Sequence, residues 1–162
     1  MELKQIFLSL TLLASVSVAS AQTVPDIPPQ GTPIFEFAFS GGRHFNTLNY
    51  QEGINAGFSP QNIAWHSTES SGALTTLLYR CVVPNGGGQD HFASQDPNCE
   101  GQLNEGNFGY VFKAPRLGLV PLYRYYAHPN GFSQNDHWIN KATQNLMPTE
   151  YGLEGIIGYV YP

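Results

Sequence analysis

Charge is scarce in this chain: only 12% of its 162 residues are Asp, Glu, Lys or Arg. Its 7 Lys and Arg are scattered singly against 12 Asp and Glu, for a formal net charge of −5. With no basic stripe to neutralise phosphates, nucleic acid and anionic membrane surfaces are excluded as partners. Beyond residue 21 no apolar run approaches the ~18 residues that a membrane helix needs, so no membrane insertion is expected. Catalytic signatures are also missing: there is no G-x-S-x-G elbow, no H-E-x-x-H and no P-loop. Asn85-Gly86-Gly87-Gly88 is Gly-rich, but no helix start follows it to hold a phosphate, so it reads as a turn. No enzyme, no cofactor and no metal site is therefore expected. Cysteine is limited to Cys81 and Cys99.

What is present starts with an export signal. Lys4 precedes an apolar run over residues 6 to 19, and Ala19-Ser20-Ala21 has the small-x-small form of a signal-peptidase site. Residues 1–21 read as a secretory signal, cleaved before Gln22, and the mature protein as secreted, whether extracellular or periplasmic. Two cysteines in an oxidising compartment predict a Cys81–Cys99 disulfide, contributing about 3 kcal/mol in the chain-entropy model. A zinc pair would need a second Cys or His pair at ligand spacing, and none is there. Residues 22–32 form a Pro-rich leader, and residues 33–162 a single domain.

That domain holds 17 Gly, 12 Pro and 13% aromatic residues in the count for the whole chain. Gly, Asn and Pro set turns while aromatics fill half-buried strand faces, so the class is mainly β. Three marks recur in constant order. PIFEFAF (33–39), LLYRCVV (77–83) and PLYRYYA (121–127) come first. Arg43-His44-Phe45, Asp90-His91-Phe92 and Asp136-His137-Trp138 follow. EGNFGYVF (105–112) and EGIIGYVY (154–161) close the series, with Gln61-Asn62-Ile63-Ala64-Trp65 as the faint first copy. The expected organisation is three tandem units over residues 33–67, 77–113 and 121–162. A unit of about 45 residues cannot bury its own apolar face, so the three must share a core. Closure around a pseudo-threefold axis, β-trefoil-like or small and propeller-like, would leave no open sheet edge. Each unit reads as strand, Gly/Asn-rich turn, strand, polar segment with room for a short helix, then closing strand.

These marks resemble an extracellular repeat domain of unknown function, whose units run P-L-Y-R-x-Y-N-P, then G-D-H-F-Y-T, then Y-E-G-I-A-G-Y-V. The resemblance covers most of the mature chain and is fullest in the third unit. The first unit departs from it, with Glu36 for the Arg and Gln61-Asn62 for the Glu-Gly pair. Domains of this kind occur in secreted bacterial and fungal proteins, often beside cell-wall or polysaccharide hydrolases. The resemblance implies an accessory or binding role.

The chemistry rests on two constellations. His44, His91 and His137, with Asp90, Asp136, Trp138 and Tyr125, have three readings: a cradle with stacking rings for sugar hydroxyls, a three-His metal site on the axis, or internal hydrogen bonds that clasp the fold. Arg80 and Arg124 follow Leu-Tyr, Glu105 and Glu154 precede Gly, and in the first unit both members change together. That joint change predicts Arg–Glu ion pairs holding first and third strands, with a grip on an acidic ligand as the alternative. His66 and His128 have no counterparts and read as surface residues. The expected function is a secreted non-catalytic carbohydrate-binding, lectin-like domain with glycans or cell-wall polysaccharide as partners. The alternative is a structural or protein-interaction module of the cell envelope. Any ligand site is expected where the units differ, in loops 40–43, 84–90 and 128–136.

Overall fold

The computed structural model describes residues 31–39, 42–68, 71–85, 88–127 and 135–162. Residues 1–21, expected to be an export signal, most of the expected Pro-rich leader, His128 and parts of all three loops singled out above lie outside the described residues. The domain is mainly β, as its turn-rich and aromatic composition predicts. Its elements are β1 (Pro33–Phe39), β2 (Arg43–Thr47), α1 (Tyr50–Asn55), β3 (Ser59–His66), β4 (Thr75–Asn85), β5 (Gly88–Ser94), β6 (Leu103–Phe112), β7 (Val120–Ala127), β8 (Asp136–Asn140) and β9 (Tyr151–Val160). The polar segment of the first group forms α1, whose N-cap Asn49 accepts a hydrogen bond from the Gln51 amide. The other two polar segments, interrupted by Pro97 and Pro148, form only single 3-10 turns at Cys99–Gly101 and Gln144–Leu146.

Two antiparallel sheets result, ordered β2-β1-β3 and β5-β4-β6-β9-β7-β8. The larger is joined at its middle by one residue pair, Phe112 with Tyr159. Three strand groups therefore have the same order, with the first strand in the centre. Their registers also agree: Ala38 faces His44, Val82 faces His91, and Tyr126 faces His137.

The closing octets now have a local explanation. Between Arg80↔Gly106 and Cys81↔Asn104 the register slips by one, leaving Glu105 as the extra residue of a β-bulge. Glu154 occupies the same place between Arg124↔Gly155 and Tyr125↔Leu153, and Gln61 between Glu36↔Asn62 and Phe37↔Pro60. A second bulge sets Phe108 and Ile157 inward, just ahead of Gly109 and Gly158. Gly109 adopts φ +101°, and a Cβ there would lie 2.6 Å from that of Ser67. A Cβ on Gly158, at φ +153°, would lie 2.3 Å from Val111 Cγ2. The octet thus encodes two bulges and a close backbone approach.

One core takes side chains from all three groups. Ile34, Leu78 and Leu122 from the first strands meet Ala64, Phe108 and Ile157 from the third, with Trp65, Val111 and Val160 beside them. Tyr125 and Tyr151 anchor a satellite cluster, and Cys81, Phe92 and Cys99 another. Cys81 and Cys99 are joined as a disulfide. The second strands β2, β5 and β8 all pack against one another. Both faces of these strands are consequently covered, and neither the His nor the aromatic of each pair points freely to solvent.

Candidate functional site

Chemistry-bearing side chains collect along the seams where β2, β5 and β8 meet. A strand leaves alternate N–H groups unpaired on its outer edge, and at each seam the His amide is such a group. At the seam between the third and first groups, the His44 amide and Nδ1 both donate to Asp136, each at 2.7 Å. At the seam between the second and third, the His137 amide and Nδ1 donate to Asp90 at 2.8 and 2.7 Å. Each Asp is almost fully buried, at 1% exposure for Asp136 and 3% for Asp90. A buried carboxylate needs its lone pairs occupied, and a two-donor fork from one His meets that need. The Tyr151 hydroxyl adds a third donor to Asp136. Burial and the adjoining Asp136 carboxylate push the Tyr151 hydroxyl well above its ordinary pKa, so it stays protonated and donating.

The aromatic partners follow the same cyclic order. His44 stacks on Trp138 at 4.0 Å, His91 meets Phe45 edge-on at 4.8 Å, and His137 meets Phe92 at 4.9 Å. Each His therefore reaches the aromatic of the group before it, the first group reaching back to the third. The three His do not converge on one point. Among the described residues no group of three or more His, Cys, Asp or Glu is placed to hold a metal ion.

The Arg residues hold the seams from outside. Arg80 Nε donates to Glu105 at 2.8 Å, and its Nη1 and Nη2 fork onto Glu52 of the preceding group at 2.8 Å each. Arg124 repeats this with Glu154 at 2.8 Å and with Glu100 at 2.7 and 3.0 Å. Burial opposes both guanidinium charges, but the paired carboxylates outweigh it and hold each pKa above its ordinary value. The hydrogen bonds from Arg80 and Arg124 hold Glu52 and Glu100 below the usual carboxylate range. Each guanidinium also lies over an aromatic ring, Arg80 over Phe45 and Arg124 over Phe92. With their forks filled by Glu52 and Glu100, these Arg residues have no bidentate face left for an acidic ligand.

In the first group Glu36 stands where the others have Arg, and its partner has changed accordingly. Trp138, in place of Phe45 or Phe92, donates its indole N–H to Glu36 at 2.6 Å. Glu36 is buried, at 5% exposure. Trp138→Phe removes that donor and is expected to destabilise the fold by about 1–3 kcal/mol, the cost of an unsatisfied buried acceptor. A urea midpoint indistinguishable from the parent's would show that Glu36 is satisfied some other way.

Tyr125 must be corrected as a stacking platform. It is 0% exposed and its hydroxyl donates to the Ala142 carbonyl at 2.6 Å, so neither ring face is open to a ligand. Glu52 and Glu100 were not anticipated as partners. Their signal was a Glu eight or nine residues after the His in the two units whose successor carries Arg, absent from the third unit, whose successor carries Glu36. Arg43 and Phe58 were also missed.

They line the one seam that departs from the pattern. Arg43 takes the position that Asp90 and Asp136 hold on β5 and β8, and among the described residues no carboxylate forks onto His91. Instead a cleft of about 290 Å³ opens between β2, α1 and β5, lined by Arg43, Phe45, Glu52, Ala56, Phe58, Gln89, His91 and Glu105. Arg43 lies over the Phe39 ring at 4.8 Å. His91 Nε2 lies 3.4 Å from Glu105, and burial, aided by the Arg80 charge, pushes the His91 pKa down.

A family model described as a domain of unknown function (DUF5648) matches residues 17–108, more than half of the chain. No curated protein and no solved structure matches it.

Proposed function

We propose a function from the chain's own geometry, because it belongs to the family described as a domain of unknown function (DUF5648), which carries no assigned activity. The reading is a secreted, non-catalytic, lectin-like domain that binds carbohydrate in the cleft between β2, α1 and β5. In this reading the three strand groups are copies of one unit closed around a pseudo-threefold axis. Supporting that closure are their common strand order, their shared core and the mutual packing of β2, β5 and β8.

One observation carries the binding role. The cleft sets the half-buried Phe58 ring, backed by the buried Phe45, against a polar wall of Arg43, Gln89, Glu52 and Glu105, in a volume of about 290 Å³. A pyranose has one face of C–H groups and a rim of hydroxyls, and it is held by an aromatic surface plus a few planar polar groups. Among the described residues the seam beside Arg124 lacks this combination. The cleft of about 250 Å³ beside Arg124 is lined by Ser94, Gln95, Asp96, Glu100, Glu154 and aliphatic residues, with no aromatic ring.

The test is a glycan array together with pull-down on insoluble polysaccharides, comparing the parent with Phe58→Ala. Binding weakened about two- to tenfold, in protein whose NMR spectrum shows it still folded, is expected from loss of one stacking face. No binding across broad panels would sink the lectin reading and leave the structural or protein-interaction module in its place.

A further inference from the structure

Two of the three His residues on the second strands are clasped by a carboxylate, and among the described residues the third is not. The difference lies in one residue. Asp90 and Asp136 precede His91 and His137 on their strands; Arg43 precedes His44. Because each Asp serves the His of the following group, the substitution at position 43 deprives His91. Its register is that of the other two, Val82 facing His91 as Ala38 faces His44, so its amide also points away from the central strand. The donor pair that holds Asp136 and Asp90 is thus present at His91, and among the described residues no carboxylate forks onto it.

Resting on the lectin-like reading, we propose that the cleft at Arg43 and His91 recognises a carboxylate on its ligand, which makes an acidic sugar such as a uronate the ligand class. The two filled clasps serve as internal references for the geometry. In each, one carboxylate oxygen takes the His amide at 2.7–2.8 Å and the other takes Nδ1 at 2.7 Å.

The local charges favour this occupant. Around the filled clasp at His137 stand Arg124, Glu100 and Glu154, one cation against two carboxylates, and Asp90 is still held there. Around His91 stand the corresponding Arg80, Glu52 and Glu105, with Arg43 added. An incoming carboxylate therefore meets one more positive charge than Asp90 does. Phe58 leaves an apolar wall beside it for a sugar ring, a feature that a bare acid would not use.

The experiment is an NMR titration of the intact mature protein, following the His91 backbone amide and imidazole with glucuronate, glucose and acetate as probes. Glucuronate should shift the His91 signals and bind about tenfold or more tightly than glucose, as expected for charge-assisted hydrogen bonds. Arg43→Ala should weaken glucuronate by a similar factor. Arg43→Asp should abolish it, because the introduced carboxylate fills the clasp, and should raise the thermal midpoint, an effect that misfolding cannot imitate. If glucose binds as well as glucuronate, the carboxylate proposal is overturned while the lectin reading stands. If acetate binds as tightly as glucuronate, the carboxylate site holds and the lectin reading fails. If nothing moves His91, or if Arg43→Asp still binds glucuronate, the proposal is wrong.

Discussion

Replacing Asp136 by Ala should destabilise the domain by about 3–5 kcal/mol, the range for breaking a buried charged network by removing one partner. Asp136 is the acceptor for the His44 amide, the His44 imidazole and the Tyr151 hydroxyl. Truncation leaves those donors facing a gap from which water is largely excluded, so the cost is desolvation without compensation rather than three average hydrogen bonds. The seam it closes joins β8 to β2, residues 92 positions apart in sequence. Loss is therefore expected to loosen the whole fold rather than one turn. At about 2–4 °C per kcal/mol for a domain somewhat larger than 150 residues, and slightly more for this one, the thermal midpoint should fall by roughly 10–15 °C. Urea unfolding should show the midpoint shifted with little change in slope, and Asp136→Asn should retain part of the loss because one acceptor remains. A change below about 1 kcal/mol for Asp136→Ala would mean that the clasp is dispensable.

Opening the Cys81–Cys99 disulfide should cost about 3 kcal/mol, and the loss should be coupled to Arg124. The bond spans 18 positions and lies in the core, with both Cys at 0% exposure. It also fixes an awkward stretch of backbone. Cys99 and Glu100 adopt φ values of 52° and 55°, the left-handed region that costs a non-Gly residue of order 1 kcal/mol or more. That conformation aims Glu100 across the seam at Arg124, with Ser94 holding the same carboxylate at 2.7 Å. In the first group a capped helix turn presents Glu52 to Arg80; in the second, the disulfide does the corresponding work for Glu100. Arg124→Ala should accordingly cost less in the doubly substituted Cys81→Ala/Cys99→Ala protein than in the parent, by about 1 kcal/mol in a double-mutant cycle. Strict additivity would separate the disulfide from the seam.

Much of this was legible residue by residue. Period-two patterns and Gly/Asn/Pro punctuation located the strands, and an even cysteine count in a chain expected to be exported predicted the bond. The joint change of Arg and Glu in the first unit pointed to a pair, and Arg80 does meet Glu105 within its own strand group. The second carboxylate on each Arg was not read, because Glu52 and Glu100 sit on segments with different local structures. Tyr125 was misjudged because alternation along β7 does not say which face the satellite core will cover. The His partners were beyond sequence reasoning for a similar cause: Asp90 adjoins His91 in the chain yet bonds His137.

By itself the sequence determined what depends on near neighbours: strand periodicity, turns and the recurring order of the three marks. Tertiary structure alone decided which group's side chain completes another's. A strand places successive side chains on opposite faces whatever surrounds it, but the partner of an outward N–H or a buried carboxylate is set by the neighbour packed across the seam. Arg43 shows the difference. In the chain it is one Arg before a His; in the fold it is the missing acid of His91, some 48 residues away in the count from 43 to 91.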